Sequence, residues 1–218
     1  MFLQHLLELE GQSGNGSCDL CSAKNAIFRC SDCLGNLANC HDCFMDRHKL
    51  LPFHRVLMWN GKYFCKTTLH EQGYILHLGH HGGLCPATMK AWTDEQGHSA
   101  VSKGKTLFQS ALGGKCDDIL EYGVLNIVHT TGVFQHRVRW CQCQDAPERA
   151  VQLFRMRLFS SSHIRPETAF TFDVLDHFHI DAMECKTAAA SFVKKLCRLT
   201  NNAFPHTVPV STILFQSM

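Results

Sequence analysis

The stretch from Cys18 to His54, CDLCSAKNAIFRCSDCLGNLANCHDCFMDRHKLLPFH, carries six of the chain's thirteen cysteines. They fall into three pairs, Cys18 and Cys21, Cys30 and Cys33, Cys40 and Cys43, with His48 and His54 following. Two intervening residues let a tight turn aim both thiolates at one ion, and tetrahedral zinc takes two such pairs. Eight ligands therefore fill two closed zinc sites. A redox C-x-x-C stands alone at the start of a helix in a βαβ setting, unlike three consecutive motifs trailed by two histidines. His41, between the two ligand types, reads as a surface residue. Closed sites hold a fold together and leave no position for a reacting water.

The rest of the chain sets the context for this cluster. Its 218 residues suffice for one large domain or two small ones, with a core of their own beside any metal-held unit. Apolar residues make up 45% and charged residues 18%, a globular balance. No segment reaches the roughly 18 unbroken apolar residues of a spanning helix. The N-terminus, MFLQHLLELEGQSGNGS, lacks a basic first region and a small-residue cleavage site, so no secretory signal is expected. An intracellular protein keeps its thiols reduced, which favours metal over disulfides. A net charge of +2 with dispersed basic residues neither demands nor excludes nucleic acid.

The pattern divides the chain into an N-terminal helix and linker (1–17), a double zinc finger (18–64), a β-rich cysteine-cluster region (65–145) with a loop insertion near 86–121, a helical region (146–201) and a tail (202–218). Phe2, Leu3, Leu6, Leu7 and Leu9 share one side of the first helix, expected to dock on its own domain. Asn60-Gly61 marks a hairpin, and Thr68 with Glu71 fits a capping box stopped by Gly73. YILHLGH reads as a strand. Within the insertion, Trp92 and Phe108 are candidate anchors and Cys116 an inert thiol. VLNIVHT and FQHRVRW form a second hairpin across Thr131-Gly132, in which Phe134, His136, Val138 and Trp140 alternate with Gln135, Arg137 and Arg139. One face is buried and the other basic. Three helices are expected after Asp145: one with Val151, Phe154 and Leu158 on a face, one starting at Pro166 with Phe170, Val174, Leu175 and Phe178, and one from about Lys186. Asp173, Asp176, Asp181 and Glu184 read as a solvated helix face rather than a two-metal nuclease site, which draws carboxylates from separate strands.

A second constellation lies outside the opening cluster. His80 and Cys85 in HLGHHGGLCP, with Cys141 and Cys143 in WCQC, supply the donors of a Cys3His site. His77 and His81 compete for the histidine position, and buried free thiols are the alternative to a site.

The order Cys-Cys, Cys-Cys, Cys-Cys, His-His resembles the B-box and related cross-brace fingers. That resemblance implies Cys18, Cys21, Cys40 and Cys43 on one zinc and Cys30, Cys33, His48 and His54 on the other, with Cys21 where many B-boxes have histidine. From about Cys18 to Thr200 the succession CDLCSAKNAIFRCSDC, LHLGHHGGLCP, VHTTGVFQHRVRWCQC, QLFRMRLFSSSHIRPETAFTFDVLDHFH and KTAAASFVKKLCRLT resembles the CxC-type cysteine-cluster domain associated with KDZ transposases, abundant in mushroom-forming fungi. The family's LGH histidine is then His80, its CP cysteine Cys85 and its C-x-C pair Cys141 and Cys143, a third zinc. The resemblance implies a zinc-stabilised α+β module, a B-box-like finger followed by a small antiparallel sheet and C-terminal helices. It implies no catalytic residues, a nuclear location, and DNA or a transposase catalytic domain as partner. The catalytic domain that follows in the family is not expected in this chain. Arg137, Arg139, Lys194, Lys195 and Arg198 are the candidate DNA contacts. The alternative is a B-box-like protein-interaction module that uses the finger and first helix.

Overall fold

The computed structural model describes residues 2–11, 16–87 and 122–209. The expected insertion, with Trp92, Phe108 and Cys116, lies outside the described residues. Helix α1 spans Phe2–Glu10; the finger then contributes strand β1 (Phe28–Cys30), helix α2 (His41–His48), β2 (Val56–Trp59) and β3 (Phe64–Thr67). These three strands pair antiparallel in the order β1-β2-β3. The β2–β3 turn is closed by Asn60, whose Oδ1 accepts from the N–H groups of Lys62 and Tyr63, both at 3.0 Å. Thr68 and Glu71 bond reciprocally as a capping box, Thr68 N–H to Glu71 Oε2 at 3.0 Å and Glu71 N–H to Thr68 Oγ1 at 3.1 Å. The segment they open is a turn rather than a helix.

A second sheet follows, built from β4 (Ile75–Leu78), β5 (Tyr122–His129), β6 (Gly132–Trp140), β7 (Leu158–Ser160) and β8 (Thr168–Thr171). Its order is β4-β6-β5-β8-β7. The expectation of a small antiparallel sheet needs correction: β4 pairs parallel with β6, and β5 parallel with β8. The helical reading of the C-terminal third is also revised. Helix α3 (Arg149–Arg155) is short, Leu158 opens β7, and Phe170 belongs to β8. The spacing of Val151, Phe154 and Leu158 suits a helix, but Arg157 adopts a positive φ of 59° that breaks it. Thr171 starts α4 (Phe172–Glu184) by accepting from Val174 N–H, and α5 spans Ala189–Thr200.

The two faces of the second sheet do different work. Because side chains alternate, Leu76, Leu78, Leu125, Ile127, Val138 and Trp140 share one face. They join a single buried cluster with Phe28, Phe44 and Val56 of the finger and Leu153 of α3. Each buried side chain of this size contributes roughly 1.5–3 kcal/mol, so finger and sheet stabilise one another. His136 is buried on this face, and desolvation pushes its pKa down to about 4, which keeps it neutral. On the other face Val128 and Phe170 pack against Phe192, Val193 and Leu196 of α5 and Val174 of α4. The fold is thus three layers: finger and α3, sheet, then α4 with α5.

Helix α1 departs from expectation. Phe2, Leu3, Leu6 and Leu7 are all exposed, Phe2 by 83%, so its apolar side does not dock on the described domain.

Gly132 is where the β5–β6 turn meets the end of α5. Its φ is +147°, and a Cβ there would lie 2.8 Å from Thr200 Oγ1, the same hydroxyl that accepts from Val133 N–H at 2.8 Å. Gly132→Ala should lower the unfolding free energy by about 2 kcal/mol. An unchanged denaturant midpoint would contradict this packing.

Candidate metal centres

Among the described residues the donor atoms converge in three clusters, each with all its donor atoms within 4.8 Å of one another: Cys18, Cys21, Cys40 and Cys43; Cys30, Cys33, His48 and His54; His80, Cys85, Cys141 and Cys143. The first two interleave along the chain, the first pair with the third and the second with the fourth. The structure brings together the residues singled out in the sequence, and His41, His77 and His81 fall outside the clusters. His41 Nε2 instead faces Gln72 C=O at 3.3 Å.

The spacing of the donors tests whether zinc fits. Zn–S bonds of about 2.3 Å in a tetrahedron set sulfurs about 3.8 Å apart, and a sulfur and an imidazole nitrogen about 3.5 Å apart. Cys21 and Cys40 sulfurs are 3.6 Å apart, and Cys85 Sγ lies 3.9 and 3.7 Å from those of Cys141 and Cys143. His54 Nδ1 lies 3.3 and 3.4 Å from the sulfurs of Cys30 and Cys33, and His80 Nε2 lies 3.3 and 3.5 Å from those of Cys141 and Cys143. A disulfide needs sulfurs about 2.0 Å apart. The donor sets fit a divalent ion such as zinc.

Local structure fixes each donor. The turn after β1 places Asp32 N–H 3.4 Å from Cys30 Sγ. The Asp32 carboxylate then grips Arg55, accepting from its backbone N–H at 2.6 Å and from Nε at 3.0 Å. Desolvation opposes ionisation of Asp32, but these bonds from Arg55 hold its pKa below the usual carboxylate value. The Cys30–Cys33 turn is thereby tied to the residue after His54. His48 Nδ1 donates to Phe44 C=O at 2.8 Å, which leaves Nε2 for Cys33 at 3.5 Å. Burial lowers the His48 pKa and favours the neutral ring that a metal requires. Phe53, beside His54, packs on His129 with ring centroids 4.9 Å apart, and its C=O accepts from Thr131 Oγ1 at 3.1 Å. The second cluster is thus fastened to the β5–β6 hairpin.

Packed thiols resist joint ionisation. Cys43 is pushed up by hydrogen bonding with Cys21 and Cys40, and Cys143 to about 11 by Cys85 and Cys141. Burial raises Cys30 to about 11. Cys18 is the exception: against the effect of burial, backbone N–H groups of Cys40, Cys21 and Leu20 bring it down to about 6. A bound cation reverses this repulsion by stabilising every thiolate at once.

The third cluster sits on a strained loop. His80 and His81 both lie in the left-handed region, with φ of 47° and 56°; such non-glycine residues cost roughly 1 kcal/mol or more each. Cys141 and Cys143 come directly after β6, and His80 and Cys85 shortly after its parallel neighbour β4.

The candidate DNA contacts are placed as follows. Arg137 and Arg139 lie on the helix-side face of the sheet, in register with Ile75 and His77 of β4. Arg137 is exposed and Arg139 half-buried. Lys194, Lys195 and Arg198 are on α5, which packs over the other end of the same face. Lys195 is engaged by Asp181 and lies over the Phe192 ring at 4.6 Å, while Arg198 Nη1 donates to Asn202 Oδ1 at 3.5 Å. Asp32, Arg55 and Phe53 were not singled out in the sequence; Asp32 had a signal, lying inside a C-x-x-C motif.

Residues 109–204 match the family described as CxC2 like cysteine cluster associated with KDZ transposases. No curated protein and no solved structure matches the chain. The matched region holds Cys141 and Cys143, whereas His80 and Cys85 precede it. It also lacks β4 and the finger's half of the shared core. A fragment of residues 109–204 should show no cooperative unfolding and hold no zinc by native mass spectrometry, whereas residues 16–209 should unfold cooperatively and hold zinc. Cooperative melting of the short fragment would refute the shared core. In the full chain, three zinc ions should fall to two in the Cys141→Ser, Cys143→Ser double variant.

Proposed function

We propose that this chain is a non-catalytic, zinc-stabilised module of KDZ-type transposase machinery that helps bind duplex DNA in the nucleus. The observation that carries the reading is the half of the second sheet that, among the described residues, α4 and α5 do not pack over. There Arg137 and Arg139 project from β6 beside His77 of β4, and β4, β5 and β6 contribute no acidic residue to that face. Lys194 and Arg198 stand on the same side, on α5, so the basic groups form a step from sheet to helix. Such an arrangement suits a phosphate backbone, which demands dispersed positive charge and little side-chain order. The family match to residues 109–204 supports the transposase association. Clusters with four protein donors leave no open metal position, which supports a scaffold role.

Arg137→Gln, Arg139→Gln and Lys194→Gln, combined, should weaken duplex binding uniformly across sequences. The slope of log affinity against log salt should shrink by roughly 1 for each phosphate contact removed. Lys195→Gln should do less, since Asp181 already neutralises that charge. An unchanged salt slope in the triple variant, with three zinc ions still bound, would reject the DNA role.

The exposed apolar side of α1 favours a second reading, a B-box-like interaction module with no nucleic-acid role. Phe2, Leu3, Leu6 and Leu7 present unburied hydrophobic surface on a helix that precedes the finger in the chain. A partner captured through residues 1–54 and indifferent to the arginine substitutions would support it.

A further inference from the structure

Gln152 lies on α3, away from every metal-ligand motif in the sequence, yet is only 5% exposed. Its amide makes three hydrogen bonds, all to the backbone of the loop that carries Cys141 and Cys143. Oε1 accepts from Cys141 N–H at 2.8 Å; Nε2 donates to Cys141 C=O at 3.3 Å and to Pro147 C=O at 2.9 Å. Strand β6 ends at Trp140. By serving both the N–H and the C=O of the next residue, the side chain does what a neighbouring strand would do, and carries the ladder one residue past its end. The bond to Pro147 closes the far side of the same loop.

Cys141 is confined from the opposite side as well. A Cβ at Gly79 would stand 2.9 Å from Cys141 Cβ, so the bare backbone of Gly79 is what admits this cysteine. With the backbone held by Gln152 and the side chain set against Gly79, Cys141 Sγ is aimed at His80 Nε2, 3.3 Å away, and Cys85 Sγ, 3.9 Å away.

We propose that Gln152 is the positioning residue of the third metal centre, setting the Cys141–Cys143 turn so that its thiolates meet His80 and Cys85 without rearrangement. This rests on the reading of those four residues as a metal centre. Partners that orient ligands in this way commonly change metal affinity by about 10- to 100-fold. An ordinary helix-to-loop fastening would instead affect stability throughout the shared core.

The test follows zinc per chain by native mass spectrometry after timed exposure of the full-length protein to a chelator. Gln152→Leu removes all three bonds; Gln152→Glu keeps the shape and the acceptor for Cys141 N–H but sets an acceptor against two carbonyls. Either variant should lose one ion about 10- to 100-fold faster than the wild type, with the other two released at the wild-type rate. Adding Gln152→Leu to the Cys141→Ser, Cys143→Ser variant should change nothing further. If Gln152→Leu does not fold, Gln152→Glu carries the same expectation. Wild-type release of all three ions in the variants, or equal acceleration of all three, would overturn the proposal. A wild-type protein that holds only two ions would overturn the metal reading of the cluster itself, and the proposal with it.

Discussion

The alternation of strand β6 is the constraint on which the rest of the structure depends. One parity, His136, Val138 and Trp140, is buried against the finger and α3; the other, Arg137 and Arg139, faces the side on which α4 and α5 pack. A slip of one residue would bury the arginines and expose the core set. The register is pinned at both ends. Gly132 meets Thr200 at the start, and the donors of the third cluster converge just past Trp140. Nine residues therefore link the hydrophobic core, the basic surface and a candidate metal centre.

The three clusters fasten what the core does not reach. Each joins loops, strand ends or helix α2 rather than strand interiors, where backbone ladders already supply order. Interleaving makes the finger's two clusters interdependent: the chain passes from one to the other and back, so release of either loosens the segments that form its neighbour. Phe53 then passes the order of the second cluster to the β5–β6 hairpin through His129 and Thr131. In a small finger whose buried apolar set is limited, the binding free energy of an ion would be folding free energy.

How much was legible in the sequence follows from the range of the signals. C-x-x-C spacing is a local code, from which the six candidate cysteine donors of the finger were readable, with His48 and His54 following them in the chain. The Asn60 turn, the Thr68–Glu71 box and the β5–β6 hairpin are local too. Parallel pairing of β4 with β6 was hidden, because it joins segments separated by more than fifty residues and leaves no turn signature. Strands β7 and β8 were hidden by a different conflict: Leu158 and Phe170 sit at helical spacing from apolar neighbours, and only the sheet edge formed by β5 makes an extended path better. Gln152 had no signal at all, since a buried amide is defined by partners that the fold brings to it.

The strain at His80 and His81 bears on how the third cluster acts. Two successive left-handed residues without glycine persist only when their surroundings over-determine them. Here the surroundings are β4 before the loop, the donor set around it and Gly79 against Cys141. The raised pKa of Cys143 keeps its thiol protonated near neutrality, so without an ion the set meets only through thiol hydrogen bonds. A bound cation would add the attraction of thiolates for the ion and offset the backbone strain in the same step. The third cluster is therefore one place, with the β4–β6 ladder and the shared core, where the described region preceding residue 109 meets the matched region. The basic face of β6 takes its geometry from that pairing, because β4, which supplies His77 beside Arg139, runs parallel to β6 and both lead into the same donor set.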